Sequence, residues 1–493
     1  MAARTDRVRR NFSFDALGAL GTGLFNALVV NFLAVIARHD GADPLLLAAL
    51  AAAPFAANTL AIFTGFWVPR EAHRARYVSL LIMFGRALFM GGLLTSGPTA
   101  LLWMGFGMWL TMAMASPLQI DVWRGAYPQS LRARVLGYLR VLQSSAGAAA
   151  APLGGLLIER FGPGPMLGLG AALGMLGAAS SGQVHSQPLA GGRRFTPAAS
   201  LRLLAEQPAY RRLITAWVVW GFGSFMATPV YALVLVDRFH ASYAEIGWLQ
   251  LGGAISGLLA YWLLGQYLDR KDGFGVTPFG FLLTGVVPLV YLFAPNLTVL
   301  AVGYVLLSVG TSANDLGWQV ALLSRVSDEH RPRYQAAHTS ITGLRGVAAP
   351  FLGSLIVAQG VGVGPVLLLG GLLGAFGAAL MANALGADLR VFRAVLGDRR
   401  RPRGDVFVRH RVVVERARIE VAPLFHVDQV LLAREQGSAT QSGAGWRGAQ
   451  RSLQPPNQLV HDPARNALAL AREDEAEQDQ VGQQHAPVRA EAA

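Results

Sequence analysis

Arg86, Arg140, Asp315, His338 and Arg345 stand within stretches of sequence that are otherwise apolar, and Asp121 stands at the end of one. An ionisable group near the centre of a bilayer costs at least ~2.5 kcal/mol on insertion scales, so any that persists there is a candidate for binding or proton chemistry. At 1.5 Å per helical residue, Asp315 lies roughly 12 to 15 Å from one end of its stretch, and Arg345 roughly 16 Å from the matching end of the next. The two can therefore meet at one depth, either as a substrate or proton site or as an ion pair that only joins two helices. Asp121 and Arg140 stand in a similar relation earlier in the chain, with Arg86 as a competing partner. Asn314 and Trp318, one helical turn apart, share a face and can line one cavity. Asn26, Gln143, Asn31, Asn58 and Gln250 add amides that can meet a polar ligand or bond across to a neighbouring helix.

Other chemistries find no support. No Gly-x-x-x-x-Gly-Lys-Ser/Thr loop is present to cradle nucleotide phosphates, and His330 and His338 do not form a His-Glu-x-x-His pair. No serine has a placed base. Cysteine is absent, which removes disulfides and thiolate metal sites. The expectation is a chain with no catalytic residues, metal or cofactor. The formal charge of +13 comes almost wholly from arginine, Lys271 being the one lysine. Those arginines sit in short connectors rather than along one stripe, which argues against a nucleic-acid partner.

The elements that must position these groups follow from composition. The chain is 53% hydrophobic and only 14% charged, against roughly 25% charged in ordinary soluble domains. Apolar runs of about 18 residues or more recur through the first 387 residues, each long enough to cross a bilayer. They predict an all-α integral membrane protein of about twelve spans in two six-helix halves. The first half is expected over residues 13–182, after an N-terminal tail of 1–12, and the second over 211–387. The first run, Phe14 to Ile36, is too long for a cleaved signal sequence and reads as a retained helix.

With the N-terminus in the cytoplasm, the inner connectors hold Arg70, Arg74, Arg76, Arg124, Arg132, Arg134, Arg193, Arg194, Arg270, Lys271, Arg325, Arg331 and Arg333. The outer connectors hold only Arg38, Arg160 and Arg238, as the positive-inside rule requires. Both termini and the polar linker 183–210 are then cytoplasmic. Trp103, Trp217 and Trp220 read as an interfacial aromatic belt. Sliding the chain on itself by about 200 residues superposes Gly21, Gly23, Phe25 and Ala27 on Gly221, Gly223, Phe225 and Ala227. With small loop shifts, Trp123 and Pro152 fall on Trp318 and Pro350.

One connector, Gly265-Gln-Tyr-Leu-Asp269-Arg270-Lys271-Asp272-Gly273, is similar to the cytoplasmic loop signature of the major facilitator superfamily, with its second glycine one position late. The resemblance covers roughly residues 13–387. It implies that Asp269, Arg270 and Gly265 belong to a cytoplasmic gate that latches the halves together. The matching connector after the second span has Pro69 where that family places its aspartate, before Arg70. In the fifth span, Gly147-Ala-Ala-Ala-Ala151-Pro152-Leu-Gly154-Gly155 resembles the Gly/Pro signature of drug:proton antiporters, and small residues in such a run also serve close helix packing.

The expected activity is secondary transport of a small solute by alternating access in the cytoplasmic membrane, with proton-coupled export as the first reading. The alternatives are uptake of a sugar or other metabolite, and a non-transporting sensor or scaffold that keeps the fold. The expected partners are a small-molecule substrate, the lipid bilayer and protons, with the protein a monomer. From Asp388 onward the composition turns to Arg, Gln, Glu and Ala, which reads as a disordered cytoplasmic tail over 388–493.

Overall fold

The computed structural model describes residues 2–60, 74–95, 97–186, 208–268, 275–323 and 331–386. The tail, most of the linker, Arg70, Asp269 and Arg270 lie outside the described residues. Every regular element described is a helix. The first half holds α1 (Ala2–Leu28), its continuation α2 (Leu33–His39), α3 (Pro44–Leu60), α4 (Arg74–Ala87), α5 (Pro98–Ala126), α6 (Gln129–Phe161) and α7 (Pro163–Ser181). The second holds α8 (Pro208–Leu233), α9 (Tyr243–Leu268), α10 (Val276–Phe293), α11 (Leu297–Leu323), α12 (Arg331–Ile356) and α13 (Val363–Leu385). Among the described residues, ten helical stretches are long and apolar enough to cross a membrane. The two further expected spans appear as α3, a shorter apolar helix, and α7, which is not among those ten.

Helix starts follow local chemistry. Asp43 Oδ1 accepts the Leu46 N–H at 2.7 Å ahead of α3, and Asn296 Oδ1 accepts the Val299 N–H at 3.0 Å ahead of α11. At α9, Ser242 and Glu245 form a reciprocal capping box, each side chain accepting the other's backbone N–H. Such caps satisfy donors that the helix itself leaves unpaired.

The two halves pack alike. In the first, α1 lies against α6 and α7, α5 against α3 and α4, and α4 against α7. In the second, α8 lies against α12 and α13, α11 against α9 and α10, and α10 against α13. The register of this repeat differs by two residues from the superposition the sequence suggests. Gly21 packs on Gly177 of α7, but its expected mate Gly221 packs on the Arg345 guanidinium of α12. Gly223 is the residue that meets the last helix of its half, at Gly370 and Gly374. Two residues turn a helix by about 200°, so the contacts exchange faces while glycines still coincide.

Closest approach occurs where glycines face each other. A Cβ on Gly374 would stand 2.5 Å from the Gly285 Cα, and one on Gly21 would stand 2.7 Å from the Gly177 Cα. In lipid, helices associate through such packing rather than through hydrophobic burial.

Candidate functional site

Across the interface, α6 packs on α9 and α3 on α12, a symmetric pair of seams. Small residues bring the backbones together: an added Cβ on Gly247 would stand 2.6 Å from the Ala151 carbonyl and 2.9 Å from the Pro152 Cα. The glycine-rich run of the fifth span therefore serves helix packing, within its half through Gly147 on Gly23 and across halves through Gly155 on Tyr243. On the other seam the Phe55 ring of α3 packs on Gly346 of α12, and it also meets Phe225 of α8 at 4.6 Å.

One end of the interface is closed. Arg38 at the end of α2 grips Asp237 of the second half through both carboxylate oxygens, at 2.8 to 3.1 Å. Nearby, Glu159 of α6 accepts the Ala244 N–H at the start of α9 at 2.9 Å, placing negative charge at a helix N-terminus. Gln250 donates to the Asn31 carbonyl from the opposite half. One apolar core, including Phe32, Ile36, Leu47, Met226, Val230, Leu235 and Ile246, runs through both halves here. At the other end the cores stay apart. Ala75, Val122 and Tyr127 cluster in the first half, and Leu213, Trp318 and Met381 cluster separately in the second.

The charges inside the spans are arranged differently from the depth argument. Asp315 is exposed, and its carboxylate accepts the Tyr261 hydroxyl at 2.6 Å. The exposed Arg140 of α6 stands beside that same hydroxyl from the first half. Arg345 is buried elsewhere: it donates to the Trp217 carbonyl and lies over the rings of Phe225, Trp217 and Trp220 at 4.9 to 5.9 Å. Among the described residues, Asp315 and Arg345 form no ion pair. Arg345 lies about 21 Å from the start of α12 and Asp315 about 12 Å from the end of α11, so they differ in depth as well as in azimuth.

In the first half, Asp121 meets Arg74 at 3.3 Å rather than Arg140 or Arg86. Arg86 is buried, donating to the Gly174 carbonyl and the Thr22 hydroxyl, with its guanidinium 5.2 Å from the Phe25 ring. Among the described residues, each half thus buries one arginine held by carbonyls and aromatic faces, a cation–π arrangement in place of a counter-ion.

Asn314 and Trp318 do share a face, but it points into the second half. Both are buried, Asn314 against Gly280 and Trp318 among Trp217 and His338 at ring distances of 4.5 Å. Trp217 and Trp220 belong to this interior cluster, with Trp220 stacked on Phe281 at 4.3 Å, and not to an interfacial belt. Asn26 and Gln143 are half-buried, and the Gln143 backbone carbonyl packs on Gly23. Gly265 has nothing within 4 Å of an added Cβ, so no close approach at that position demands glycine.

Reading charge alone misses four groups. Three of them, Tyr261, Asp237 and Glu159, act across or beside the interface. The fourth is Asp15, buried in α1, which accepts the Tyr127 hydroxyl at 2.7 Å. Beside it, Asn11 exchanges two hydrogen bonds with the backbone of His185. These tie the start of α1 to the end of its own half. Asp15 carries a signal in the sequence, an acid just inside the first apolar run; Tyr261, uncharged, carries none.

Two bundles of like topology, joined by two symmetric seams and closed at one end, define a multi-pass α-helical membrane protein built from two similar halves. Residues 213–407 match the sequence model of the Major Facilitator Superfamily. That match lies in the second half of the spans, so the second half resembles that family in sequence, while for both halves together the likeness is one of fold. No curated protein matches the chain. Among solved structures, it is similar to a point mutant of the nucleoside transporter NupG at 12% identity and a TM-score of 0.62, over 76% of this chain and 99% of that one. It is also similar to a bacterial homolog of the human lysosomal transporter Spinster, in an inward-facing and occupied conformation, at 16% identity and a TM-score of 0.55. That match covers 78% of this chain and 98% of the other.

Proposed function

We propose that this protein is a secondary transporter that moves a small solute across the cytoplasmic membrane by rocking its two halves about a site near the midplane. The observation that carries this reading is the asymmetry of the interface: an apolar core and the Arg38–Asp237 pair unite the halves at one end, while their cores stay separate at the other. With the N-terminus in the cytoplasm, the united end faces outward and the chain stands inward-facing. Asp315, Arg140 and Tyr261 lie on the open side, where a solute entering from the cytoplasm reaches them. Arg345, Arg86, Asn314 and Trp318 shape the second and first bundles behind that surface. The direction we favour is export driven by protons.

Solute flux into proteoliposomes across a compound panel, with and without a pH gradient, tests the reading. Saturable flux of one compound class, accelerated by the gradient, is the expected result. No carrier-mediated flux of any class would overturn it.

The outer closure gives a separate expectation. Asp237→Asn removes one charge of a half-exposed pair worth up to about 1 kcal/mol, so the ratio of outward-open to inward-open protein should rise about fivefold. Because the chain has no cysteine, one thiol introduced at Asn31, beside this closure, reports the change. Its labelling by an impermeant maleimide from outside should accelerate in the Asp237→Asn background. An unchanged labelling rate would show that the pair does not hold the gate.

A further inference from the structure

One polar group in the interface is explained neither by helix capping nor by the outer closure: the hydroxyl of Tyr261. It lies on α9 among Leu258, Leu259, Trp262 and Leu263. Arg140, Tyr261 and Asp315 stand roughly 16, 10 and 12 Å from the inner ends of α6, α9 and α11, so they occupy one level of the membrane. Tyr261 and Asp315 belong to the second half, and Arg140 belongs to the first. Among the described residues Arg140 and Asp315 make no direct ion pair. Among the described residues, the phenol is what connects them.

The connection has a direction. A phenol has one proton to give and an oxygen that accepts. The proton goes to the Asp315 carboxylate at 2.6 Å, which leaves the oxygen to face the Arg140 guanidinium. Hydrogen bonds in such a chain polarise and strengthen one another, most when the terminal acceptor is charged. From α10, the other helix packed on α11, no charged side chain reaches Asp315, because α10 has none. Neutralising Asp315 therefore weakens the whole chain, including the link that crosses the interface.

We propose that Tyr261 is a positioning residue that couples the charge on Asp315 to the junction of α6 with α9, so that a positive charge arriving at Asp315 loosens the halves at that level. The arriving charge is a proton or the cationic group of an organic ligand. The proposal rests on the reading of Asp315 as a ligand or coupling site, but its readout needs no flux.

Spin labels on Gly137→Cys and Leu263→Cys, in the full cysteine-free chain in lipid nanodiscs, measure the α6 to α9 spacing. Gly137 has nothing within 4 Å of an added Cβ, and Leu263 is 57% exposed. Tyr261→Phe should produce a longer-distance population, Asp315→Asn should shift the distribution the same way to a smaller extent, and the double variant should match Tyr261→Phe. Tyr138→Phe, an exposed tyrosine on α6, should leave the distribution unchanged. If acidification alone reproduces the shift, the charge is a proton; if tetraphenylphosphonium at constant pH does so, it is an organic cation. A Tyr261→Phe distribution identical to the parent overturns the proposal. So do additive effects of the two substitutions, or a distribution that neither acid nor the cation moves. Full flux in Asp315→Asn together with a shifted distance would instead reject the transport role of Asp315 and leave the bridge standing.

Discussion

Asp315→Asn is expected to lower carrier-mediated flux by roughly tenfold to a hundredfold while the protein inserts and folds normally, the range expected when a hydrogen-bonded charge of about 1.5–3 kcal/mol is lost. Several features isolate the charge from the scaffold. The side chain is exposed, so no packing depends on it. Its partner Tyr261 donates to an oxygen that asparagine also provides. A carboxylate within a span carries an insertion cost of at least ~2.5 kcal/mol, so the amide should, if anything, insert more readily. Asp121→Asn is the informative companion. Asp121 already has a guanidinium partner in Arg74 at 3.3 Å, within its own half, and its loss should leave most of the flux. Initial rates in proteoliposomes, normalised to inserted protein, decide the matter. Equal flux in parent and Asp315→Asn would remove this residue from the site.

The second large effect concerns folding. Gly374→Val places a branched side chain where a single Cβ already meets the Gly285 Cα at 2.5 Å. The obstacle is backbone on both helices, so no rotamer relieves it, and α10 and α13 must separate. Overpacking of this kind costs about 1–3 kcal/mol where side chains can yield, and backbone cannot. Lipid offers no hydrophobic force to restore the contact. The expected outcome is loss of most monodisperse protein in detergent and a marked drop in the thermal midpoint of what remains. Gly252→Val, on α9 where an added Cβ meets nothing within 4 Å, should behave like the parent. If the two valine variants melted alike, the tight α10–α13 crossing would be refuted.

The architecture was readable because it depends on run length. Apolar stretches that satisfy the bilayer announce themselves one at a time, and α11 and α13 fall where the sequence places them, over Leu297–Leu323 and Val363–Leu385. Depth was readable only as far as the helix ends were: α12 begins at Arg331, which sets Arg345 about 21 Å from that end rather than the expected ~16 Å. Azimuth was not. Asn314 and Asp315 are adjacent, yet a rotation of about 100° buries one against Gly280 and exposes the other to Tyr261. The expected meeting of Asp315 with Arg345 fails on depth as well as on that rotation, and Arg345 settles over Phe225 instead. Trp217 and Trp220 fail differently: tryptophan near a span end suits the interface in general, but here Phe281, Trp318, His338 and an arginine surround the pair. Asp237 carries no local signal, because its partner Arg38 is 199 residues away, a separation that no local pattern encodes. Asp269 and Arg270 lie outside the described residues, and their latch rests on resemblance alone.

The shared apolar core at the closed end has a calorimetric corollary. Parting Phe32, Ile36 and Leu47 from Val230, Leu235 and Ile246 wets greasy surface, and wetting such surface raises heat capacity. The drive to keep that surface dry also fades as the temperature falls. Chilled samples should therefore lean toward the conformer whose seal is broken, and warmed ones toward the conformer seen here. The carrier's resting posture is in that sense set by a thermometer built from hydrocarbon.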